Sequence, residues 1–320
     1  MKAITQDVYG SADVLEFQDV DRPVVGDGQV LVKVRAAGVD TGVWHLTRGL
    51  PYPVRLVTGL RKPKARVPGM DVAGVVEAVG AGVTRLRVGD EVFGTCEGAF
   101  AEYAVGREDR LVAKPSTLTF EQAAVVPVSG CTALQALRDA GKVTAGQRVL
   151  VIGAGGGVGS YAVQLAKVFG AEVTGVCGSG KVDLVRSLGA DHVVDYTRED
   201  FADGYDLILD TAGNRPLSRL RRALTPKGTL VIVGGEGGGK VLQGLDRQLR
   251  ALALSPFIGQ RLCTLVATEP VADLVLLAEL VDAGKLRPVI DRTFPLSAAA
   301  DAIRYLELGH TAGKNVLAVG

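Results

Sequence analysis

The stretch RVLVIGAGGGVGSYAVQLAK, residues 148–167, decides the fold of this chain. It begins with residues 149–152, an unbroken apolar run of the kind expected of a strand buried on both faces of a parallel sheet. Five glycines follow between residues 153 and 159, and apolar residues then recur at helical spacing up to Lys167. The stretch therefore predicts a strand, a glycine turn and a helix in immediate succession.

A glycine turn in this position is suited to the pyrophosphate of a dinucleotide. Without Cβ atoms the backbone approaches the phosphates closely, and the helix that follows offers free N–H groups and a positive dipole end. Ala154, Gly156 and Gly159 fall on the three positions of the G-x-G-x-x-G fingerprint, with alanine in place of the first glycine. The alternative is a purely structural turn. We predict that a cofactor binds to Ala154, Gly155, Gly156, Gly157, Val158 and Gly159.

Length and charge exclude several classes of protein. The 320 residues suffice for about two domains, and a net charge of +1 gives no general attraction to nucleic acid or acidic membranes. Mean hydropathy is +0.24, but no apolar run is as long as a membrane span. The longest, residues 271–281, is cut by Asp273 and Glu279 and predicts a buried amphipathic helix. The first ten residues carry no apolar stretch, so we expect no secretory signal.

The four cysteines indicate a reducing compartment. Cys96, Cys131, Cys177 and Cys263 lie far apart and form no C-x-x-C pair. This spacing is typical of single core residues and not of a disulfide framework or a metal site. Cytoplasmic localisation is the resulting expectation.

The pattern of predicted strands and helices changes twice along the chain. Residues 1–125 consist mostly of strands bounded by glycine and predict a compact, antiparallel or barrel-like domain. Residues 126–267 alternate strands with helices and predict an α/β domain with a doubly wound parallel sheet, in which the glycine-rich residues 234–240 form a loop that presents ligand. Residues 268–320 return to short mixed elements, which we expect to pack on the first domain.

Three motifs together carry a family resemblance over essentially the whole chain. Residues 146–167 resemble the signature of the quinone oxidoreductase and ζ-crystallin branch of the medium-chain dehydrogenase/reductase superfamily. Residues 68–92 are similar to the GroES-like catalytic domain of that superfamily, and residues 279–290 with 309–314 to its reticulon-interacting oxidoreductase subgroup. The resemblance implies a Rossmann domain, a mostly-β GroES-like domain split between residues 1–125 and 268–320, and an NADPH-dependent reductase with its substrate cleft between the two.

The second strand of the α/β domain gives an independent test of cofactor choice. NAD-binding proteins place Asp or Glu at the end of this strand to bind the ribose hydroxyls, but here the strand ends CGSGK, residues 177–181, with no carboxylate. We predict that Ser179 and Lys181 bind a 2′-phosphate; the alternative for Lys181 is an ordinary solvated lysine. The loop position and the resemblance add four further candidates for cofactor binding: Gly234, Tyr196, Gly313 and Lys314.

The resemblance also raises the question of zinc, because many members of the superfamily are zinc enzymes. In the loop at residues 38–49, Asp40 stands where those enzymes have cysteine, and Met70 stands where they have histidine. The lobe with four cysteines is missing, and His45 has no partner in the sequence pattern. We predict no metal site.

Hydride transfer to an electrophilic acceptor needs no metal. Quinones and conjugated enones fit, since they delocalise the incoming charge into oxygen. We predict an NADPH-dependent quinone reductase with Asp40, Trp44 and Tyr52 as substrate-cleft candidates and no assigned proton donor. Asp40 departs from the asparagine common in this branch. The alternatives are an alkenal or enoyl reductase, and a non-catalytic NADPH-binding interaction protein.

Residues 55–67, RLVTGLRKPKARV, carry five basic residues and no acidic one. Such a run attracts nucleic acid, an anionic surface or an acidic partner, but without interleaved aromatics it does not favour nucleic acid and is typical of a solvated insertion loop. Homodimers are frequent among proteins that the chain resembles. No interface can be identified from the sequence.

Overall fold

The computed structural model describes residues 1–234, 242 and 244–320, and divides the chain into two compact units. Unit 1 comprises Met1–Cys131 and Glu269–Gly320, and unit 2 comprises Thr132–Thr268. Within the described residues the strands are β1 (Lys2–Thr5), β2 (Glu16–Asp19), β3 (Gln29–Val39), β4 (Asp71–Val79), β5 (Glu91–Thr95), β6 (Tyr103–Arg107), β7 (Leu111–Ala113), β8 (Arg148–Ile152), β9 (Glu172–Cys177), β10 (His192–Asp195), β11 (Tyr205–Asp210), β12 (Leu224–Ile232), β13 (Arg261–Thr264), β14 (Ile290–Pro295) and β15 (Lys314–Ala318).

The helices in the same part of the chain are α1 (Thr41–Arg48), α2 (Arg55–Thr58), α3 (Phe120–Ala124), α4 (Pro127–Gln135), α5 (Gly157–Val168), α6 (Val182–Ser187), α7 (Leu217–Ala223), α8 (Leu245–Leu254), α9 (Val271–Asp282) and α10 (Ala299–Glu307). The end of α4 continues into a π-helical turn at Ala136–Gly141.

Unit 2 is built on a parallel sheet of six strands in the order β10-β9-β8-β11-β12-β13. The order reverses between β8 and β11, which is the switch point where doubly wound sheets bind ligands. The doubly wound α/β fold predicted from the sequence is therefore confirmed. The apolar run at residues 149–152 forms the buried centre of this sheet, because β8 has neighbours on both edges.

Two helical regions of unit 2 differ in how well the sequence predicts them. The glycine turn is followed by α5, whose residues 159–166 are all buried. The sequence analysis does not include helix α8, although Leu245, Leu249 and Leu252 recur at helical spacing along it. Of that predicted loop at 234–240, residues 235–240 lie outside the described residues.

Unit 1 contains a sheet of seven strands in the order β14-β15-β3-β4-β5-β7, with β6 also paired to β3. Its pairs are antiparallel except β14 with β15. Along β3 the valines 30, 32 and 34 are buried and Lys33 and Arg35 are exposed, as the alternation predicts. Because β15 pairs with β3, residues from the end of the chain lie beside residues from its first forty.

The prediction of a loop at residues 38–49 is partly wrong, because α1 occupies most of this segment. Asp40 is the N-cap: its Oδ1 accepts a hydrogen bond from the Val43 N–H at 3.0 Å. Gly49 ends the helix in the left-handed conformation with φ of 59°. An Asp at the start and a Gly at the end are the usual boundary signals of a helix.

Among the residues that the structure describes, no helix is long and apolar enough to cross a membrane.

Candidate functional site

The glycine turn of unit 2 connects β8 directly to the N-terminus of α5. Gly153 takes a positive φ of 83°, and the N–H groups of Gly153 and Ala154 donate to the Val176 carbonyl at 3.1 and 3.0 Å. Gly156 is the N-cap of α5, and no side chain of the described residues caps it. The first-turn N–H groups of a helix have no partner within the helix, so this end is electrostatically suited to an anion.

Two glycines of this turn occupy positions where a side chain has no room. A Cβ on Gly159 would lie 2.0 Å from the Gly153 carbonyl oxygen, so the close crossing of turn and helix requires glycine. A Cβ on Gly155 would lie 2.7 Å from Cδ of Lys181. The aliphatic stem of Lys181 therefore packs over the turn, and the structure brings these two predicted cofactor residues together.

Ser179 has a partner that the sequence analysis missed. Its Oγ lies 2.5 Å from Oδ2 of Asp195 and 2.9 Å from Oγ1 of Thr197. Asp195 ends β10, in register with Cys177 at the end of β9, so a carboxylate does reach the end of the second strand, from the neighbouring strand. Hydrogen bonds from Ser179 and then Thr197 lower the pKa of Asp195, which keeps this carboxylate ionised.

Tyr196 and Gly234 lie at the carboxyl ends of their strands. The Tyr196 ring is half exposed, and its hydroxyl would lie 3.3 Å from a Cβ on Gly178. A Cβ on Gly234 would lie 2.2 Å from the Thr211 carbonyl oxygen. Since the Thr211 hydroxyl donates to Ile152 O at 2.7 Å, the ends of β8, β11 and β12 are tied together at the switch point.

A buried ion pair supports this edge of the sheet, and it is absent from the sequence analysis. Nη1 of Arg247 on α8 lies 2.5 Å from Oδ2 of Asp210, which is fully buried at the end of β11. Nη2 of the same guanidinium donates to the Gly234 carbonyl at 3.2 Å. The pair joins α8 to the ends of β11 and β12. The two residues are 37 positions apart in the sequence, so no local motif predicts that they pair.

The other predicted residues belong to unit 1, where three charged side chains form a buried ion cluster. Nζ of Lys314 lies 2.6 Å from Oδ2 of Asp71 and 3.6 Å from Oδ2 of Asp40. The side chains of Lys314 and Asp71 are at most 2% exposed and that of Asp40 is 9% exposed. The ammonium predicted to lie near the cofactor is thus held between two carboxylates.

The strand register explains how these residues meet. The strands are antiparallel and Asn315 lies opposite Val39, so Lys314, one residue before Asn315, lies beside Asp40, one residue after Val39. A Cβ on Gly38 would lie 2.9 Å from Oδ2 of Asp71, so glycine leaves room for that carboxylate between the strands. The other oxygen of Asp71 accepts from the Val128 N–H at 2.9 Å.

Two carboxylates facing one ammonium leave this cluster with an excess negative charge. Burial is the main reason that the pKa of Asp71 rises to about 6, and the nearby Asp40 adds to the rise against the opposing effect of Lys314. Burial acts to lower the pKa of Lys314, but attraction by Asp71 and Asp40 raises it overall. Burial, and then repulsion by Asp71, also raises the pKa of the buried Glu269.

The two aromatic cleft candidates have different surroundings. Nε1 of Trp44 on α1 donates to Oε1 of Glu307 at 2.6 Å, so its polar group already has a partner on α10. Tyr52 is 43% exposed and lies beside the Arg55 guanidinium, 4.9 Å from its ring centroid. Gly313 precedes Lys314 with φ of 80°, and a Cβ there would lie 2.4 Å from the Val289 carbonyl oxygen. Their contacts with ligands stay predictions.

In residues 1–234, 242 and 244–320, no group of three or more His, Cys, Asp or Glu side chains is arranged to hold a metal ion. All four cysteines are free, and burial raises the pKa of the Cys177 thiol to about 11.

Comparison with known proteins finds matches along most of the chain. A family model described as alcohol dehydrogenase GroES-like domain matches residues 26–116, and one described as zinc-binding dehydrogenase matches residues 188–317. The chain is 36% identical over 341 residues to the 2-methylene-furan-3-one reductase of Solanum lycopersicum, covering 99% of this chain and 79% of that protein. It is 34% identical over 357 residues to the mitochondrial NAD(P)H oxidoreductase RTN4IP1 of Mus musculus, covering 100% and 89%.

Among solved structures, the quinone oxidoreductase from Coxiella burnetii superposes with a TM-score of 0.85 at 31% identity. The superposition covers 100% of this chain and 99% of that one.

Proposed function

The chain belongs to the medium-chain dehydrogenase/reductase superfamily, and on that premise we propose that it transfers hydride from NADPH to a quinone-type acceptor. The observation that carries the proposal is the glycine turn of unit 2, where Lys181 packs against Gly155 beside the uncapped N-terminus of α5. The names of the two curated relatives and of the solved structure supply the chemistry: NAD(P)H, a furanone and a quinone.

The turn fits a pyrophosphate on steric grounds, since Gly155 and Gly159 present backbone where side chains would collide. The first-turn N–H groups of α5 would hold the pyrophosphate and Lys181 the 2′-phosphate, while Tyr196 would flank the adenosine. When bound, NADPH supplies the hydride. The residues of the chain orient it and exclude water, which is the main demand of hydride transfer to an electrophilic acceptor.

Ser179 is a weaker phosphate ligand in this proposal than Lys181. Its hydroxyl is hydrogen-bonded to Asp195, and the Asp195 carboxylate repels a 2′-phosphate placed beside it. Lys181 therefore carries the preference for NADPH, and Ser179 contributes only by giving up its bond to Asp195.

We also propose that the reaction is zinc-independent. The two positions expected to supply zinc ligands hold Asp40 and Met70, and Asp40 is already bonded to α1 and paired with Lys314. Trp44 and Tyr52 are proposed to contact the acceptor. We propose that Asp40 has an indirect role in the reaction, through the charge of the buried ion cluster, because its Oδ2 faces Lys314.

Reduction of a conjugated C=C bond is the second candidate function. It is favoured by the similarity to a furanone reductase, which covers 79% of that protein. The two reactions share the delivery of hydride but differ in the second step. The enolate formed from an enone takes a proton at carbon, whereas the anion formed from a quinone takes a proton at oxygen.

The test is oxidation of NADPH and, separately, NADH by the purified protein with ortho-quinones, para-quinones and conjugated enones. Turnover of quinones with NADPH supports the proposal, and turnover of enones alone supports the second candidate. No turnover with any acceptor despite tight NADPH binding would contradict both and favour a non-catalytic NADPH-binding protein.

Two further properties belong to the proposal. The four free cysteines support a reducing compartment such as the cytoplasm. We propose a homodimer because proteins that the chain resembles are frequently homodimers. Sedimentation velocity tests this proposal, and a single monomeric species at micromolar concentration would contradict it.

A further inference from the structure

Residues 52–64 of unit 1, here called the basic turn, expose an apolar surface that the proposed reaction does not explain. Leu56, Val57 and Leu60 are 72%, 76% and 68% exposed. Single exposed aliphatic residues are common on protein surfaces, but three within five positions of one turn are a local concentration of exposed apolar surface, and such concentrations mark contact sites.

The basic turn holds a fixed shape, so this exposure does not come from a loose segment. The Tyr9 hydroxyl donates to the Gly59 carbonyl at 2.8 Å, and the Lys64 N–H donates to the Thr58 carbonyl at 2.8 Å. Arg55 lies over the Tyr9 ring, 4.5 Å from its centroid, and its Nε donates to the Gly49 carbonyl at 2.8 Å. These bonds tie both sides of the turn to the body of unit 1.

Cationic side chains lie beside the apolar surface. Arg61, Lys62 and Lys64 are exposed and form no salt bridge with any residue in the described part of the chain. Arg66, by contrast, pairs with Asp7 at 2.9 Å. No Asp or Glu occurs from residue 41 to residue 70, so no nearby acid in the sequence neutralises these three charges.

We infer that the basic turn docks on the surface of an anionic lipid bilayer. Exposed aliphatic side chains next to unpaired cations match the interface between acyl chains and acidic headgroups, because one group inserts while the other stays at the charged surface. A single strand of nucleic acid would instead require aromatic side chains between the cations, and residues 56–66 contain none. The inference goes beyond the proposed reaction and does not depend on it.

Docking of this kind gives access to acceptors dissolved in the bilayer. Apolar quinones and enones partition into lipid, so a reductase held at the surface meets them at a higher concentration than in water. This consequence rests on the proposed function, whereas vesicle binding does not. The two are therefore measured separately.

The test is sedimentation of the full chain with vesicles of phosphatidylcholine alone, or of phosphatidylcholine containing one third phosphatidylglycerol. We expect binding only to the second kind. In the triple variant Arg61→Gln, Lys62→Gln and Lys64→Gln, the partition constant should fall about 100-fold, since each cation near such a surface contributes about fivefold. The control that removes the same charge elsewhere is Lys33→Gln, Lys227→Gln and Lys285→Gln, three exposed lysines, and it should bind like the unchanged protein.

The apolar half of the inference has its own pair of variants. Leu56→Ser with Leu60→Ser should weaken vesicle binding at least tenfold, and Val24→Ser with Val88→Ser, which change exposed residues elsewhere in unit 1, should not. The thermal midpoint and the circular dichroism spectrum of every variant report that the fold is intact.

Four binding results would overturn the inference. They are no sedimentation with anionic vesicles, equal binding to both vesicle types, the same loss in test and control variants, and equally tight, charge-dependent binding to single-stranded DNA, which would mean a general polyanion surface. A change in the sedimentation coefficient of the free protein on Leu56→Ser with Leu60→Ser would also overturn it, in favour of contact with a second copy of the chain.

Discussion

Lys181 and Asp195 have opposite charges at the end of the second strand of the parallel sheet. Lys181 packs over Gly155, while the carboxylate of Asp195 accepts a hydrogen bond from Ser179 in the same region. A 2′-phosphate is attracted by the first and repelled by the second. We therefore propose that cofactor preference is set by a balance between two side chains, one just after β9 and one at the end of β10.

Replacing Lys181 by alanine should weaken NADPH binding by about tenfold to a hundredfold, because one hydrogen bond to a charged group is lost. NADH binding should change little, since NADH carries no 2′-phosphate. Fluorescence titration with both cofactors measures the ratio. Equal losses for the two would remove Lys181 from the phosphate site, and the neighbouring Ser179→Ala is the comparison, with a smaller expected effect because its hydroxyl is already bonded.

The buried ion cluster predicts a pH dependence that Asp40→Asn should reduce. The pKa of Asp71 is raised by burial to about 6 from 3.8, so its contribution to stability is complete below the unfolded value and is lost as pH rises through about 6. Asparagine keeps the cap on α1 but removes one repulsive charge. The variant should lose less stability between about pH 4 and pH 7, because the pKa of Asp71 is then raised less, while the attraction of Asp40 to Lys314 is lost at every pH in this range.

Urea unfolding of both proteins across this pH range checks the prediction. The two curves of stability against pH should diverge as pH rises through the pKa of Asp71. Parallel curves would mean that Asp40 does not influence the Asp71 carboxyl.

Sequence could identify most of these residues but not their partners. Residues 177–181 contain no carboxylate in their own sequence. The carboxylate of Asp195 nevertheless lies beside them, because β10 pairs with β9 in parallel, and this pairing depends on strand order and register. Likewise Lys314 and Asp71 are 243 residues apart, and only the pairing of β15 with β3 brings them together.

At the scale of elements, the glycine turn was readable because a local rule determines it. A buried run, a set of glycines and a helical repeat follow one another without interruption, and each is recognisable by itself. Helix α1 has clear boundary signals in the sequence, Asp40 as its N-cap and Gly49 at its end. The resemblance predicted a loop at residues 38–49 instead, and that prediction was wrong for α1. Helix α8 has apolar residues at helical spacing but no side-chain N-cap, so the signal for where it begins is weaker.

Gly159→Ala should disrupt the crossing of the turn and α5. The new methyl group would lie 2.0 Å from a backbone oxygen, which cannot rotate away, so we expect destabilisation by about 1–3 kcal/mol and loss of NADPH binding. Gly180→Ala is the steric control, since a Cβ there meets nothing within 4 Å. Thermal midpoints of the two variants make the comparison. A midpoint for Gly159→Ala as high as that of the control would contradict the close crossing.

At the scale of the whole molecule, the two units have separate sheets and separate hydrophobic cores. NADPH at about a hundred times its dissociation constant should stabilise the state that binds it by about 2.7 kcal/mol. Because the proposed phosphate-binding residues belong to unit 2, amides of β8, β9 and the turn should gain protection from hydrogen exchange. Mass spectrometry of exchanged peptides measures this, and unchanged exchange in unit 2 at saturation would exclude the site.

The pairing of β15 with β3 also has a consequence for synthesis on the ribosome. The described strands of unit 2 lie between residues 148 and 264, so its sheet is complete in sequence before residues 314–318 are translated. The sheet of unit 1 must wait for residues 314–318, because β15 lies between β14 and β3. We therefore expect the nascent chain to acquire a protease-resistant unit 2 first, while residues 36–39 of β3 keep an unpaired edge that a chaperone can occupy until residues 314–318 are translated.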